Sequence, residues 1–196
     1  MSPVVSGPPT LGKTFSDGDV AYYGWGYNAA GLTAVWTQEN TRPSIFDAMK
    51  RREAYGTTGP RMTVRFFGGD YAQDALSRRD LARIGYSGGV PMGGGVTLAE
   101  GQAPDFLVYA LRDPIGANLD RVQIVKGWID AETNEAYEKA YDVAWGGDRS
   151  RDEQGIMPPI SSTVDLSIPS WTNTIGAAEL GAVWTDPDFD PSELAF

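Results

Sequence analysis

The clearest pattern of apolar and polar positions is a short apolar run followed by an amphipathic segment. Residues 32–36 form the run, and their composition is typical of a β-strand. In residues 41–55, the side chains of Ile45, Ala48 and Met49 fall on one helical face. The pattern therefore predicts a strand followed by an α-helix.

Residues that favour the start and the end of a helix lie at both ends of this segment. Pro43 lies early in the segment, where a missing amide does no harm. Asn40 or Thr41 can cap the amino terminus, and Gly56 can take the left-handed conformation that ends a helix. We therefore expect the helix to run close to Gly56.

The rest of the chain has mainly β-strand patterns. Residues 61–67 alternate in character and carry β-branched and aromatic side chains. Apolar runs separated by turn sequences predict further strands at residues 106–111, 121–129, 137–145 and 163–166. Shorter helices are expected at residues 75–84 and 177–184. These elements predict an α+β fold, with one or two helices and a mainly antiparallel, sandwich-like β-rich body.

Composition divides the chain into three parts. Residues 1–19 are rich in Pro, Gly and Ser, which predicts a flexible amino-terminal arm. The strand and helix above occupy residues 20–58, and a β-rich domain is expected over residues 59–196.

Charge and hydropathy exclude some partners. The chain has 196 residues, of which 26 are acidic and 16 basic, so the formal net charge is −10. Nucleic acid and anionic membranes would be repelled, and neither is expected as a partner. The first residues lack the pattern of a signal peptide, and no apolar stretch reaches about 18 residues. We expect a soluble, cytoplasmic protein.

The absence of two residue types restricts the chemistry. The sequence contains no histidine and no cysteine. Ser-His and Cys-His nucleophile pairs and the usual zinc sites are therefore excluded, and a catalyst built from this chain must use carboxylates, hydroxyls, Lys, Arg or a hard metal ion.

Glu39 and Arg42 are the first catalytic candidates. Glu39 follows the apolar strand and precedes the helix, which is where strand-to-helix loops of barrels form active sites. Its carboxylate could bind a metal ion or act as a base. Arg42, in the first helical turn, could bind an anionic oxygen. The alternative is a surface ion pair between the two side chains.

Alternating aspartates are the second group of candidates. Asp186, Asp188 and Asp190 resemble a loop of oxygen ligands for a divalent cation, and Asp17 and Asp19 form a shorter version. With Glu39 they are the predicted ligands of a Zn, Mn, Mg or Ca ion. Prolines within the loop and a missing glycine also fit a solvated acidic turn.

Longer segments resemble a known family. They include Thr-Gln-Glu-Asn-Thr-Arg-Pro at 37–43, Arg-Arg-Glu-Ala-Tyr-Gly-Thr-Thr-Gly-Pro-Arg at 51–61 and Trp-Thr-Asp-Pro-Asp-Phe-Asp-Pro at 184–191. With residues 106–114 and 119–128, they resemble the carboxy-terminal part of a bacterial family related to the PHP (polymerase and histidinol phosphatase) metallohydrolases.

The resemblance implies a remnant barrel strand and helix joined to a β-rich appendage. Metal sites of such families are held largely by histidines upstream of this segment, so that site cannot be carried over to a histidine-free chain. Family members also continue past Phe196 into another strand. We therefore expect an incomplete sheet edge that a second copy of the chain completes, giving a homo-oligomer.

Ancestry and the candidate carboxylates together suggest an activity. The sequence predicts a small metal-dependent hydrolase of phosphate-type esters that acts on activated phosphotriesters and phosphodiesters, with a small-molecule ester as substrate. The alternative is a non-catalytic β-rich structural or interaction module derived from a larger metallohydrolase.

Overall fold

A computed structural model of the chain describes the backbone of residues 14–17 and 20–23, and residues 31–78, 80–97, 99, 101–130, 132–153 and 155–196 in full. Two helices and eleven strands are assigned within these ranges. The strands are β1 (Thr14–Asp17), β2 (Val20–Tyr23), β3 (Leu32–Val35), β4 (Ala54–Thr57), β5 (Thr63–Gly69), β6 (Gly89–Pro91), β7 (Asp105–Leu111), β8 (Arg121–Ile129), β9 (Ala136–Trp145), β10 (Glu179–Thr185) and β11 (Leu194–Ala195). The helices are α1 (Arg42–Lys50) and α2 (Leu81–Gly88), and a 3₁₀-helix covers Ala75–Ser77.

All strand pairs in the described chain are antiparallel. The largest sheet has the order β10-β7-β5-β6, and a second sheet has the order β11-β8-β9. Two further pairs, β1-β2 and β3-β4, complete the strand arrangement. The two larger sheets meet where the rings of Tyr141 and Trp184 lie 4.9 Å apart. The predicted α+β, mainly antiparallel fold is confirmed.

The core lies between the four-stranded sheet and α2. Phe67, Tyr71, Ala75 and Leu107 are buried there. Gly85 of α2 lies directly on Phe67, where an added Cβ would come within 2.5 Å of the ring. A close helix-to-sheet approach therefore requires glycine at this position.

Helix α1 begins as predicted but ends earlier. Thr41 caps it, with its hydroxyl accepting from the Ser44 amide at 3.4 Å. The helix stops at Lys50 because Arg52 takes a left-handed conformation with φ 62°. The amide of Glu53 then donates to Ala48 O at 3.0 Å, which completes a Schellman turn. The prediction that Gly56 ends the helix is wrong, since Gly56 lies within β4.

Three other sequence predictions differ from the structure. Residues 75–84 divide into the 3₁₀-helix and the start of α2 rather than one helix. Residues 177–184, predicted as a helix, form most of β10, because residues 179–185 pair in full register with β7. Residues 163–166 contain only a bridge between Asp165 and Ser170. In the described chain, no helix is long and apolar enough to cross a membrane.

Candidate functional site

A polar cavity of about 640 Å³ opens beside α1. Its walls come from the loop between β3 and α1, from α1 and the turn after it, and from β5, α2 and β6. Two carboxylates and two guanidinium groups line it, belonging to Asp47, Glu53, Arg51 and Arg65. The loop after β3 and helix α1 therefore form one side of a pocket, and later elements form the other side.

Glu53 is the buried carboxylate of this cavity. Its exposed fraction is 4% because the Schellman turn after α1 directs the chain inward at this residue. Arg51 Nη2 lies 3.3 Å from Glu53 Oε2, and the hydroxyl of Tyr86 donates to Glu53 Oε1. A buried carboxylate with two such donors is held in one orientation.

Tyr86 connects the carboxylate to a second cation. Its ring packs edge-on against Phe67, with centroids 5.2 Å apart. Burial, followed by the hydrogen bond to Glu53, raises the pKa of the Tyr86 phenol. The hydroxyl therefore stays protonated near neutral pH, and it accepts a hydrogen bond from Arg65 Nη1 at 3.3 Å.

Arg65 is fixed between two aromatic rings. Its guanidinium carbon lies 3.2 Å from the centre of the Trp36 ring and 6.0 Å from that of Tyr86. The indole is itself anchored, since its Nε1 donates to Val64 O at 2.9 Å. Within the described residues, Arg65 forms no ion pair with any carboxylate. The cavity thus holds a pre-oriented cation whose charge is not neutralised by any side chain that the structure describes.

Asp47 and Ser44 face the same cavity from α1. They are three residues apart, so they lie on one side of the helix. The Asp47 side chain is exposed and has no hydrogen bond or ion pair to any other described residue. It is therefore the carboxylate of the cavity that is free to contact a ligand or a water molecule.

Sequence comparison places the chain in a family. The model of a family described as a protein of unknown function, DUF3604, matches residues 8–196. The chain belongs to the DUF3604 family. Neither the curated proteins nor the solved structures contain a significant match. Membership of DUF3604 names no activity, so function must be argued from the cavity itself.

In this DUF3604 protein, Glu39 and Arg42 lie next to the cavity and not within its lining. The neighbouring residues Thr37 and Gln38 line it, whereas both candidates are exposed on the same loop and the first helical turn. They form no ion pair with each other, and their side chains have no hydrogen bond to any described residue. Their catalytic role stays a prediction.

The alternating aspartates are engaged by other side chains. Asp186 is buried and pairs with Lys126 at 2.8 Å, and Asp188 accepts from Lys139 and from Tyr141. Hydrogen bonds from the Lys139 side chain and the Tyr141 hydroxyl lower the pKa of Asp188. Asp190 binds the Ser192 hydroxyl at 2.6 Å. These aspartates stabilise a turn through contacts with β8, β9 and their own loop.

No set of three or more acidic side chains within the described ranges is arranged to hold a metal ion. The side chain of Asp17 and the whole of Asp19 lie outside the described residues. The predicted divalent metal ion therefore stays a prediction. Of the two carboxylates of the cavity, Glu53 is already occupied by Arg51 and Tyr86.

Sequence reasoning missed the main residues of the cavity. In the sequence, Glu53 is a polar residue near the end of a predicted helix, and Arg65 is one position of a predicted strand with alternating character. Neither position by itself indicates a functional site. Tyr86 follows Glu53 by 33 residues and Arg65 by 21 residues. No local pattern joins residues so far apart. Arg65 is nevertheless the one charged residue of β5, and a charge within a mainly apolar strand can indicate a functional residue.

Proposed function

We propose that this DUF3604 protein hydrolyses phosphate-type esters in the Glu53 cavity. The observation that carries the proposal is Arg65, a guanidinium that is stacked on Trp36, oriented by Tyr86 and left without a carboxylate partner among the described residues. A planar cation held in this way is suited to bind two oxygens of a phosphoryl group.

The walls of the cavity suit the other parts of such a substrate. Trp36, Tyr86 and Pro91 supply apolar surface on which an aryl group can pack. Arg51 stays paired with Glu53 at 3.3 Å and neutralises the buried carboxylate beside the substrate. The Ser44 hydroxyl adds a polar group from α1. These groups bind and orient the ester.

Asp47 is the group that we assign to proton transfer. A water molecule attacks phosphorus and its proton passes to the Asp47 carboxylate as the new P–O bond forms. The bond to the leaving oxygen breaks, and an activated leaving group departs as the aryloxide with the electron pair. Asp47 then releases its proton to solvent. A positioned base of this kind contributes about 10²- to 10⁴-fold to the rate.

The proposal is tested by comparing two carboxylates near the cavity. In Asp47→Asn we expect the kcat for bis(4-nitrophenyl) phosphate to fall by about 10²-fold or more, with little change in KM, because only proton transfer is lost. Glu39→Gln tests the rival base, and Glu138→Gln on the exposed part of β9 is the matched control. Near-ultraviolet circular dichroism checks that each variant is folded.

The outcome assigns the base or rejects the site. A loss of turnover in Glu39→Gln with normal turnover in Asp47→Asn would transfer the role to the residue that the sequence indicated. Equal turnover in all three variants would place the chemistry outside the cavity, and the proposed function would then be wrong for this site.

A specific surface feature favours a second candidate, a non-catalytic interaction module. Residues 163–172 form a projecting loop whose base is fixed by hydrogen bonds between Thr163 and Thr172. Its tip exposes Leu166 at 89% and Ile168 at 65%. Exposed apolar side chains on a fixed loop are typical of contact surfaces. This candidate is supported if the wild-type protein turns over no ester while Leu166→Ser with Ile168→Ser weakens a self-association that Ala140→Lys in β9 leaves unchanged.

A further inference from the structure

We infer that the Glu53 cavity selects esters with a single negative charge, so that phosphodiester monoanions are preferred over phosphomonoester dianions and neutral triesters. The inference rests on the proposed function and adds the charge class of the substrate. It assigns Arg65 as the residue that determines this specificity.

Of the four charged side chains of the lining, two are paired with each other and two have no ion pair among the described residues. Arg51 and Glu53 form an ion pair at 3.3 Å, so the buried carboxylate is neutralised within the cavity. Asp47 is exposed on α1, where water screens its charge. Arg65 is half-buried against Trp36 and has no carboxylate partner among the described residues. Among the described residues, Arg65 is therefore the cation of the cavity that is available for a ligand.

The geometry of Arg65 limits what it can bind. Trp36 covers one face of the guanidinium, and Nη1 is already bonded to the Tyr86 hydroxyl at 3.3 Å. The remaining N–H donors lie in the guanidinium plane, where they match the two non-bridging oxygens of a phosphodiester. These two oxygens share one negative charge, which the single positive charge of Arg65 neutralises.

Esters of other charge fit the cavity less well. A phosphomonoester dianion adds a second charge that Arg65 does not neutralise, next to the carboxylate of Asp47 and in a protein of net charge −10, while Arg51 is held in its ion pair with Glu53. A neutral triester leaves the guanidinium covered and unpaired when it binds, which costs free energy. The cavity should thus disfavour the monoester because it has too much negative charge, and the triester because it has none.

Three esters with the same chromogenic leaving group test the inference. The substrates are bis(4-nitrophenyl) phosphate, 4-nitrophenyl phosphate and diethyl 4-nitrophenyl phosphate, assayed near pH 8, where the monoester is a dianion. Each kcat/KM is divided by the rate of the uncatalysed reaction. We expect the diester to exceed each of the others by about tenfold or more, equivalent to about 1.4 kcal/mol.

Variants of Arg65 separate charge recognition from a structural effect. Arg65→Met should lower kcat/KM for the diester by about 10²-fold, mainly through KM, and change the triester by less than about threefold. Arg65→Lys keeps the charge without the planar donors and should recover part of the diester activity. Arg83→Met, which removes an exposed guanidinium paired with Asp80 on α2, is the matched control and should change none of the three.

Failure of the inference can be told from failure of the proposed function. Equal or faster turnover of the monoester, or an unchanged diester-to-triester ratio in Arg65→Met, would overturn the inference while hydrolysis in the cavity stands. If the wild-type protein hydrolyses none of the three esters, the proposed function is wrong, and the charge selectivity is overturned with it.

Discussion

The ammonium group of Lys126 lies 2.8 Å from the carboxylate of Asp186, and both side chains are buried. Lys126 comes from the middle of β8, whereas Asp186 follows directly after β10. The same ammonium donates to Asp188 O at 2.7 Å and lies 3.7 Å from Glu193. The buried ammonium group of Lys126 therefore binds the acidic loop after β10 to the sheet that contains β8.

Replacement of Lys126 is expected to destabilise the fold strongly. In Lys126→Met the Asp186 carboxylate stays buried without its cation, which typically costs about 3–5 kcal/mol. The matched control is Lys139→Met, because Lys139 pairs with Asp188 at the surface and exposed pairs contribute about 1 kcal/mol or less. Urea unfolding at neutral pH measures both values. Equal losses in the two variants would contradict the buried-pair interpretation.

Alkaline pH is expected to weaken the core through Tyr71. Burial raises the pKa of the Tyr71 phenol to about 12, above the value of about 10 in an unfolded chain. A raised pKa means that the folded state retains the proton, so this contribution to stability is complete below pH 10 and is lost as the pH rises toward 12. Urea unfolding between pH 8 and pH 11 should show a falling free energy of unfolding above pH 10.

Tyr71→Phe provides the control for this pH dependence. The variant loses the hydrogen bond from the phenol to Gly85 O, which is 2.8 Å long, at a cost of about 1–3 kcal/mol at neutral pH. Its free energy of unfolding should then fall less steeply above pH 10 than that of the wild-type protein. The same steepness in both proteins would show that other tyrosines carry the effect.

Much of the β-rich body could be predicted from the sequence, and the reasons are local. Residues 121–129 coincide with β8, and residues 106–111 and 137–145 differ from β7 and β9 by one residue, because apolar runs there are bounded by clear turn sequences. Thr41, which caps α1, was one of the two caps that the sequence predicted, with Asn40 as the other. Each of these features depends on neighbours within a few residues.

The errors occurred where distant residues decide the conformation. Residues 179–185 form a strand because β7 offers a free edge for pairing, and an apolar run of this length fits either a strand or a helix. Arg52 ends α1 in a conformation that favours glycine, so Gly56 was the wrong choice. The candidate site combines Glu53, Arg65 and Tyr86, whose contacts exist only after β5 and α2 have packed together.

Chelation tests the metal requirement that the sequence suggested. In the mechanism through Asp47, turnover of bis(4-nitrophenyl) phosphate should be unchanged after treatment with a chelator, because cavity residues alone bind the ester and move the proton. Metal content measured by mass spectrometry before and after treatment is the control. Loss of turnover together with loss of a stoichiometric metal ion would contradict this mechanism. It would direct mutagenesis to Glu39, Asp17 and Asp19.

Self-association is expected through an open sheet edge. Among the described strands, β9 is the outer strand of its sheet, and its residues 136–140 are all exposed. Such an edge can pair with a second copy of the chain. Sedimentation velocity over a hundredfold dilution should show a concentration-dependent oligomer, and Ala140→Lys should weaken it by placing charge on the edge strand. A monomer at every concentration would contradict the prediction.

Locating a bound diester is the most direct test of the Glu53 cavity as a substrate site. Diphenyl phosphate carries one negative charge and lacks an activated leaving group, so it should remain intact during a crystal structure determination with the wild-type protein. We predict that its phosphoryl oxygens contact the guanidinium of Arg65, with one phenyl ring near Trp36 or Pro91 and the phosphorus within reach of a water molecule on Asp47. A diester bound elsewhere, or an unliganded cavity at saturating concentration, would contradict the account.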